Sequence, residues 1–79
     1  MKITFDPAKN AVNLELRGLS FEQVEAFDWS TAAILEDTRM DYGERRFRAF
    51  GYVGVRLHVV IFTPRGDAVQ IISFRKANA

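Results

Sequence analysis

Residues 45–75 decide the fold, and they read RRFRAFGYVGVRLHVVIFTPRGDAVQIISFR. Segments at 45–53, 55–63 and 68–75 predict β-strands, because β-branched and aromatic residues recur along each of them. Proline and glycine at 64–67 predict a turn between the last two segments. Consecutive strands with such short connections favour an antiparallel sheet. In the second segment the apolar alternation is formed by Val55, Leu57, Val59 and Ile61.

The amino-terminal residues predict a short strand followed by a helix. Residues 2–5 alternate as a strand does. Asp6 and Pro7 favour a helix start, because aspartate caps a helix amino terminus and proline suits the first helical position. Gly18 ends this helix near Arg17, since glycine tolerates the left-handed backbone found at helix ends.

A second helix is predicted directly after the first. Ser20 and Gln23 have the spacing of a capping box. We expect the helix to end near Asp28 or Trp29 and to face the core with Phe21, Val24 and Phe27.

A strand at 32–36 and a polar loop at 37–44 connect this helix to the strands described first. Gly51 indicates a bulge or a close approach of another segment. We therefore predict an α+β domain of order β-α-α-β-β-β, with two helices packed on one face of a mostly antiparallel sheet.

Composition limits the class of protein. The chain has 79 residues, no cysteine and one histidine. This length favours a single domain, and the lack of cysteine leaves no disulfide framework or thiolate metal site. No apolar run approaches the length of a membrane span, and no signal peptide is evident. We expect a cytoplasmic protein without a cofactor or metal.

Charge is distributed unevenly along the chain. Residues 1–38 contain three basic and seven acidic residues, a net of −4, whereas residues 39–79 contain eight basic and three acidic residues, a net of +5. Seven of the eight cations in the second part are arginines, whose planar guanidinium suits bidentate contact with phosphate. This pattern favours a polyanionic partner, and nucleic acid is the first candidate.

Four stretches of the sequence, at 5–21, 37–47, 62–67 and 71–77, contain motifs. Together these motifs resemble those of the BrnT-type toxins, small ribonucleases of the RelE-like superfamily. Residues 37–47, DTRMDYGERRF, resemble the family segment D-x-R-x-x-YGE-x-RF. Residues 62–67 and 71–77 are similar to YTERGD and IISARKA. Near the amino terminus, the pattern F-x-x-x-K…N…HGVSF is matched by Phe5, Lys9, Asn13 and residues 18–21.

The resemblance implies a RelE-like toxin of a type II toxin–antitoxin system. It implies an RNA substrate and neutralisation by a BrnA-like antitoxin with a ribbon-helix-helix part. Operator DNA would then be contacted only through that antitoxin.

Three positions depart from the family pattern. Arg17 stands where the family usually has histidine, and Phe74 stands at the alanine of IISARKA. The family usually continues into a charged carboxy-terminal helix, whereas this sequence ends at Ala79. We expect the domain at 1–79 to lack that helix.

RNA cleavage without a metal needs a proton acceptor for the 2′-hydroxyl, stabilisation of phosphate charge and a proton for the leaving oxygen. We expect the catalytic groups among Arg46, Arg75, Lys76, Glu44 and His58. Each has a structural alternative: an ion pair for Glu44, a packed side chain for His58, and a solvated surface for the cations.

Further cations are candidates for substrate binding, namely Arg17, Arg45, Arg48 and Lys9. Period two places Arg46 and Arg48 on one side of a strand. Arg39 is expected to fix the loop by pairing with an aspartate, and Arg65 to be solvated at a turn.

Two functions of different class therefore remain. The first is an RNA endonuclease held inactive by its antitoxin. The second is a weak or inert binding module with the toxin fold, suggested by Arg17 and by the end of the sequence. A third possibility is a plain nucleic-acid-binding domain, in which Tyr42, Phe47, Phe50 and Tyr52 stack on bases.

Overall fold

The computed structural model describes residues 2–78. One helix, α1 (Pro7–Arg17), is followed by two short 3₁₀ helices at Phe21–Ala26 and Trp29–Thr31. The remaining elements are five strands: β1 (Lys2–Phe5), β2 (Ala33–Glu36), β3 (Phe47–Val53), β4 (Arg56–Arg65) and β5 (Ala68–Lys76). The α+β class is confirmed, and a strand forms at each of the five predicted segments. The order written as β-α-α-β-β-β omits one of these strands and is wrong in that respect.

The strands form one sheet in the order β1-β5-β4-β3-β2. The pairs β2–β3, β3–β4 and β4–β5 are antiparallel, and only β1–β5 is parallel. The prediction of a mostly antiparallel sheet is therefore confirmed. Because β5 lies between β1 and β4, the first and last strands of the domain are neighbours.

The first helix begins and ends as predicted. The side chain of Asp6 accepts a hydrogen bond from the Ala8 N–H, and Pro7 occupies the first turn. Gly18 has a φ of 69°, the left-handed conformation that glycine adopts at little cost.

The predicted second α-helix is wrong in type. Its capping box at Ser20 and Gln23 is present, but the segment is a 3₁₀ helix of six residues. A 3₁₀ helix has three residues per turn, so side chains three apart lie above one another. Phe21, Val24 and Phe27 have this spacing, and all three are buried as predicted.

Strands β1, β3, β4 and β5 each present one side to the core, whereas every residue of β2 is exposed. The 3₁₀ helix at Phe21–Ala26 packs on the sheet face that carries Ala49, Val60, Phe62, Ile71 and Phe74. The helix α1 contributes no apolar residue to this buried cluster. The prediction of two helices on one face is therefore wrong, because α1 lies mainly beside the sheet, against β5.

The predicted bounds of β4 are also wrong. The strand continues through Pro64 and Arg65, and the turn is Gly66–Asp67. Val55 lies in the preceding hairpin turn and is 99% exposed. Since Val60 and Phe62 face the core, Val59 is buried on the opposite side of the sheet.

Gly51 is a site of close approach, one of the two predicted alternatives. A Cβ atom at this position would lie 2.6 Å from Cζ of Phe27. The ring of Phe27 therefore packs directly on the backbone of β3.

Asn13 completes the edge of β5 beyond the end of β1. The strand β1 pairs with β5 only as far as Ile71. Beyond it, the Asn13 amide donates to the Phe74 carbonyl oxygen and accepts from the Phe74 N–H, at 2.9 and 3.2 Å. The same amide donates to the Leu19 carbonyl oxygen at 2.9 Å. A buried side chain thus replaces a strand neighbour and fastens α1 to the sheet.

Candidate functional site: the arginine face of the sheet

The sheet face opposite the core, called here the open face, has no helix packed on it among residues 2–78. Two rows of cross-strand neighbours run over β3, β4 and β5 on this face. The first row is Arg48, Ile61 and Ser73, and the second is Phe50, Val59 and Arg75. Two arginines therefore stand in adjacent rows around an apolar centre.

Arg48 lies along this face rather than extending into solvent. Its residue is half-buried, and its Cζ atom is 5.9 Å from the centroid of the Phe50 ring. Its Nε atom is buried and has no hydrogen-bond partner within residues 2–78. A buried donor without an acceptor is costly, so the Arg48 Nε weakens the free protein.

Arg75 is the cross-strand neighbour of Val59. This register places Arg75 on the side of β4 that carries Leu57 and not on the side that carries His58. Arg75 is half-buried and donates only a long bond of 3.4 Å, to the carbonyl oxygen of Lys76. Neither Arg75 nor Arg48 forms an ion pair with a carboxylate of residues 2–78.

Glu44 joins two further arginines at one end of the open face. Its two carboxylate oxygens accept from Arg46 Nε at 3.3 Å and from Arg65 Nη2 at 3.1 Å. Arg65 also donates to Gln70 at 2.8 Å. The prediction that Arg65 is merely solvated is wrong, because the extension of β4 brings it back over the sheet beside Glu44.

The loop between β2 and β3 positions the Arg46 side chain through a stacked tyrosine ring. The ring of Tyr42 lies under Arg46, with the guanidinium carbon 4.2 Å from its centroid. The Tyr42 hydroxyl donates to Asp37 at 3.2 Å. Arg39 donates two bonds of 2.8 Å to the same carboxylate. The predicted loop-fixing pair of Arg39 with an aspartate is confirmed.

Asp37 is buried, with a side chain only 1% exposed. Hydrogen bonds from Arg39, and then from Tyr42, hold the pKa of this carboxyl well below its usual range despite the opposing effect of burial. The same pairing raises the pKa of Arg39. Asp37 is therefore a charged anchor for the loop that carries Glu44 and Arg46.

His58 and Lys76 lie on the other side of the sheet. They are cross-strand neighbours, and His58 is buried with its ring stacked on Phe74 at 5.2 Å. The Nδ1 atom of His58 is 2.8 Å from the Arg56 carbonyl oxygen. A carbonyl oxygen only accepts, so Nδ1 of His58 carries a proton and donates it to this bond. The sheet separates these two candidates from Arg75 and Arg48.

The other predicted binding residues are dispersed. Arg45 pairs with Glu36 of β2 at 2.9 Å, and this hydrogen bond lowers the pKa of Glu36. Lys9 and Arg17 line a groove between α1 and β5. The structure therefore places Arg48 and Arg75 in adjacent rows of the open face and the Glu44–Arg46 pair at one end of that face. Arg45, Lys9, Arg17, His58 and Lys76 lie elsewhere.

Sequence reasoning missed one member of the group, Arg65. Side chains alternate along a strand, so Arg65 lies on the same side of β4 as Ile61, and this alternation could have identified it. The assignment of Pro64 to a turn removed it from that alternation.

A small α+β domain with four arginines on one sheet face, namely Arg46, Arg48, Arg65 and Arg75, is typical of the class of proteins that bind polyanions. The chain matches the family described as ribonuclease toxin, BrnT, of type II toxin–antitoxin system over residues 5–79. It therefore belongs to the BrnT family of ribonuclease toxins, as the motifs indicated. As a type II toxin it has an RNA target and an antitoxin partner.

The remaining comparisons and structural features add no relative, membrane span or metal site within residues 2–78. No curated protein matches the sequence significantly. Within residues 2–78, no helix is long and apolar enough to cross a membrane, and no group of three or more metal-ligating side chains is placed to hold an ion.

Proposed function

We propose that the open face binds and cleaves single RNA strands without a metal ion, with the scissile phosphate between Arg48 and Arg75. One observation carries the proposal: these two arginines share the open face, and neither is neutralised by a carboxylate of residues 2–78. Guanidinium groups suit the two free oxygens of a phosphodiester. They stabilise the charge that develops as the 2′-oxygen attacks phosphorus.

The unpartnered Nε of Arg48 supports this assignment. That donor has almost no exposed surface, so in the proposed complex the Arg48 side chain shifts to let a phosphate oxygen reach it, and the new bond offsets the cost of burial.

Glu44 is the proposed acceptor of the 2′-hydroxyl proton. Its carboxylate is 26% exposed and is oriented by Arg46 and Arg65. In the proposed step the proton passes to Glu44, the 2′-oxygen bonds to phosphorus, and the bond to the 5′-oxygen breaks. The departing oxygen takes its proton from water.

Aromatic residues beside the arginines suit unpaired bases. Tyr52 is 49% exposed and has Leu57 as its cross-strand neighbour, one row beyond Phe50 and Val59. Bases stack on such rings with little dependence on sequence.

We propose that a BrnA-like antitoxin neutralises this face and makes the DNA contacts of the complex. A RelE-like ancestry is part of the same proposal.

The test is RNA cleavage by the purified chain in the presence of a chelator. We expect the double variant Arg48→Met with Arg75→Ala to lose cleavage by at least about 10²-fold, since each arginine stabilises the transition state. Arg56→Gln is the matched control, because Arg56 is an exposed arginine on the opposite side of β4. A double variant that cuts RNA as fast as the control would refute the assignment.

A weak or inert toxin is the second candidate, and Arg17 in place of the family histidine favours it. A guanidinium binds phosphate but does not take a proton near neutral pH. If this candidate holds, the wild-type chain leaves RNA intact and Arg17→His restores cleavage. If Glu44 is the base, Arg17→His changes the rate little, whereas Glu44→Gln lowers it about 10²–10⁴-fold.

A further inference from the structure

The helix α1 and the strand β5 enclose a groove that the proposed cleavage chemistry does not use. Its volume is about 380 Å³. Val12 and Leu16 of α1 and Ile72 of β5 supply its apolar surface, and Lys9, Arg17 and Ser73 supply its polar groups. The groove follows from the fold, because β1 ends at Phe5 and leaves the second half of β5 beside α1.

The apolar residues of this groove are unusually accessible. Val12 and Leu16 are 55% and 75% exposed. They are four residues apart and therefore lie on the same side of α1. An amphipathic helix normally buries such a stripe against the core, but the buried cluster of this domain contains neither residue.

The charge of the groove indicates the chemistry of its occupant. Lys9 and Arg17 are eight residues apart, which separates them by about 12 Å along a helix. Within residues 2–78 neither forms an ion pair. A matching ligand therefore combines apolar side chains with carboxylates at both ends, which is the composition of an acidic amphipathic peptide segment.

We propose that this groove binds an acidic amphipathic segment of the antitoxin. The inference rests on the proposed function to the extent that the antitoxin must block the open face. Ser73 lines the groove and also stands in the row of Ile61 and Arg48. A segment anchored beside α1 and continuing past Ser73 covers the arginines, so docking and inhibition are linked through one strand.

The experiment measures binding of the antitoxin encoded in the same operon to purified toxin variants. Leu16→Glu places a carboxylate in the apolar part of the groove and is expected to weaken binding about 100-fold, the effect of removing a central anchor. Leu14→Glu is the matched control, because Leu14 is 51% exposed on the same helix but does not line the groove. The control is expected to bind within about threefold of wild type.

A second variant tests the charges separately. Lys9→Glu with Arg17→Glu is expected to weaken antitoxin binding at least about tenfold and to flatten its salt dependence. Thermal unfolding of every variant checks that the loss is not a folding defect.

Three results would overturn the proposal. In the first, Leu16→Glu and Leu14→Glu bind the antitoxin equally. In the second, Leu16→Glu slows RNA cleavage but keeps the antitoxin, which makes the groove a substrate site. In the third, Leu16→Glu converts a toxin dimer to a monomer and keeps the antitoxin, which makes it a self-association site. Antitoxin binding is measured without RNA, so a toxin with no ribonuclease activity would refute the proposed function and leave this test intact.

Discussion

Replacement of Asn13 by alanine tests whether one side chain substitutes for a missing strand. The change removes two hydrogen bonds to Phe74 and one to Leu19. Each buried bond contributes about 0.5–1.5 kcal/mol net, and backbone groups left without partners add to the loss. We therefore expect the free energy of unfolding to fall by about 3 kcal/mol. A domain of this size has a total stability of only about 4–12 kcal/mol, so the loss is large.

The assay is urea unfolding followed by tryptophan fluorescence, with Trp29 as the probe. The midpoint is expected to fall while the slope with denaturant stays constant, because the surface exposed on unfolding is unchanged. Asn10→Ala is the control, since the half-buried Asn10 accepts a single bond, from the Phe21 N–H. Equal losses of about 1 kcal/mol in both variants would show that the Asn13 amide does not replace a strand partner.

Three further changes have definite expected outcomes. Arg48→Met is expected to keep or raise the melting temperature, because it removes a buried donor without an acceptor, while RNA cleavage falls about 10²–10³-fold; a large loss of stability would contradict this. Gly51→Ala forces a methyl group to 2.6 Å from the Phe27 ring, so urea unfolding is expected to show a loss of about 1–3 kcal/mol, and unchanged stability would disprove the tight contact. The pKa of Asp37 is depressed by Arg39, so its contribution to stability is complete above the usual aspartate pKa of about 4 and is lost as pH falls below it. Asp37→Asn is therefore expected to be less stable at neutral pH and to lose part of the acid dependence between about pH 4 and pH 2; parallel pH profiles for the two proteins would argue against the charged anchor.

Local signals in the sequence predicted much of the fold. Asp6, Pro7 and Gly18 act within one turn of their own positions, Asp6 through its side chain and the other two through their backbone, so the predicted limits of α1 were correct. The capping box at Ser20 was also correct. The helix type after Ser20 was not, because the spacing of three among Phe21, Val24 and Phe27 is compatible with both helix types over so short a segment.

Errors occurred where tertiary pairing overrides a local preference. Proline usually marks a turn, yet Pro64 lies in β4 opposite Val69. His58 and Val60, the neighbours of Val59 in the sequence, can both be buried. The alternation along β4 therefore did not show which side of the strand faces the core. The position of α1 beside β5 depends on the Asn13 bonds to Phe74, residues 61 apart in sequence.

The arginine group was only partly predictable. Period two correctly paired Arg46 with Arg48 as near neighbours, but the place of Arg75 needed the register of the last hairpin. A bulge between Ile61 and Phe62 shifts that register, and nothing local in the sequence specifies it. The separation of His58 from Arg75 follows from the same register, whereas Lys76 lies opposite Arg75 because adjacent side chains of a strand alternate. The roles of all these residues in cleavage stay predictions.

The position of β5 between β1 and β4 has a consequence for synthesis. Lys2 pairs with Ala68, and Phe5 with Ile71. Strand β1 is therefore synthesised early but pairs only after β5 has been synthesised. Arg75 is itself on the late strand. A nascent chain that has not yet reached Arg75 therefore carries no assembled arginine face.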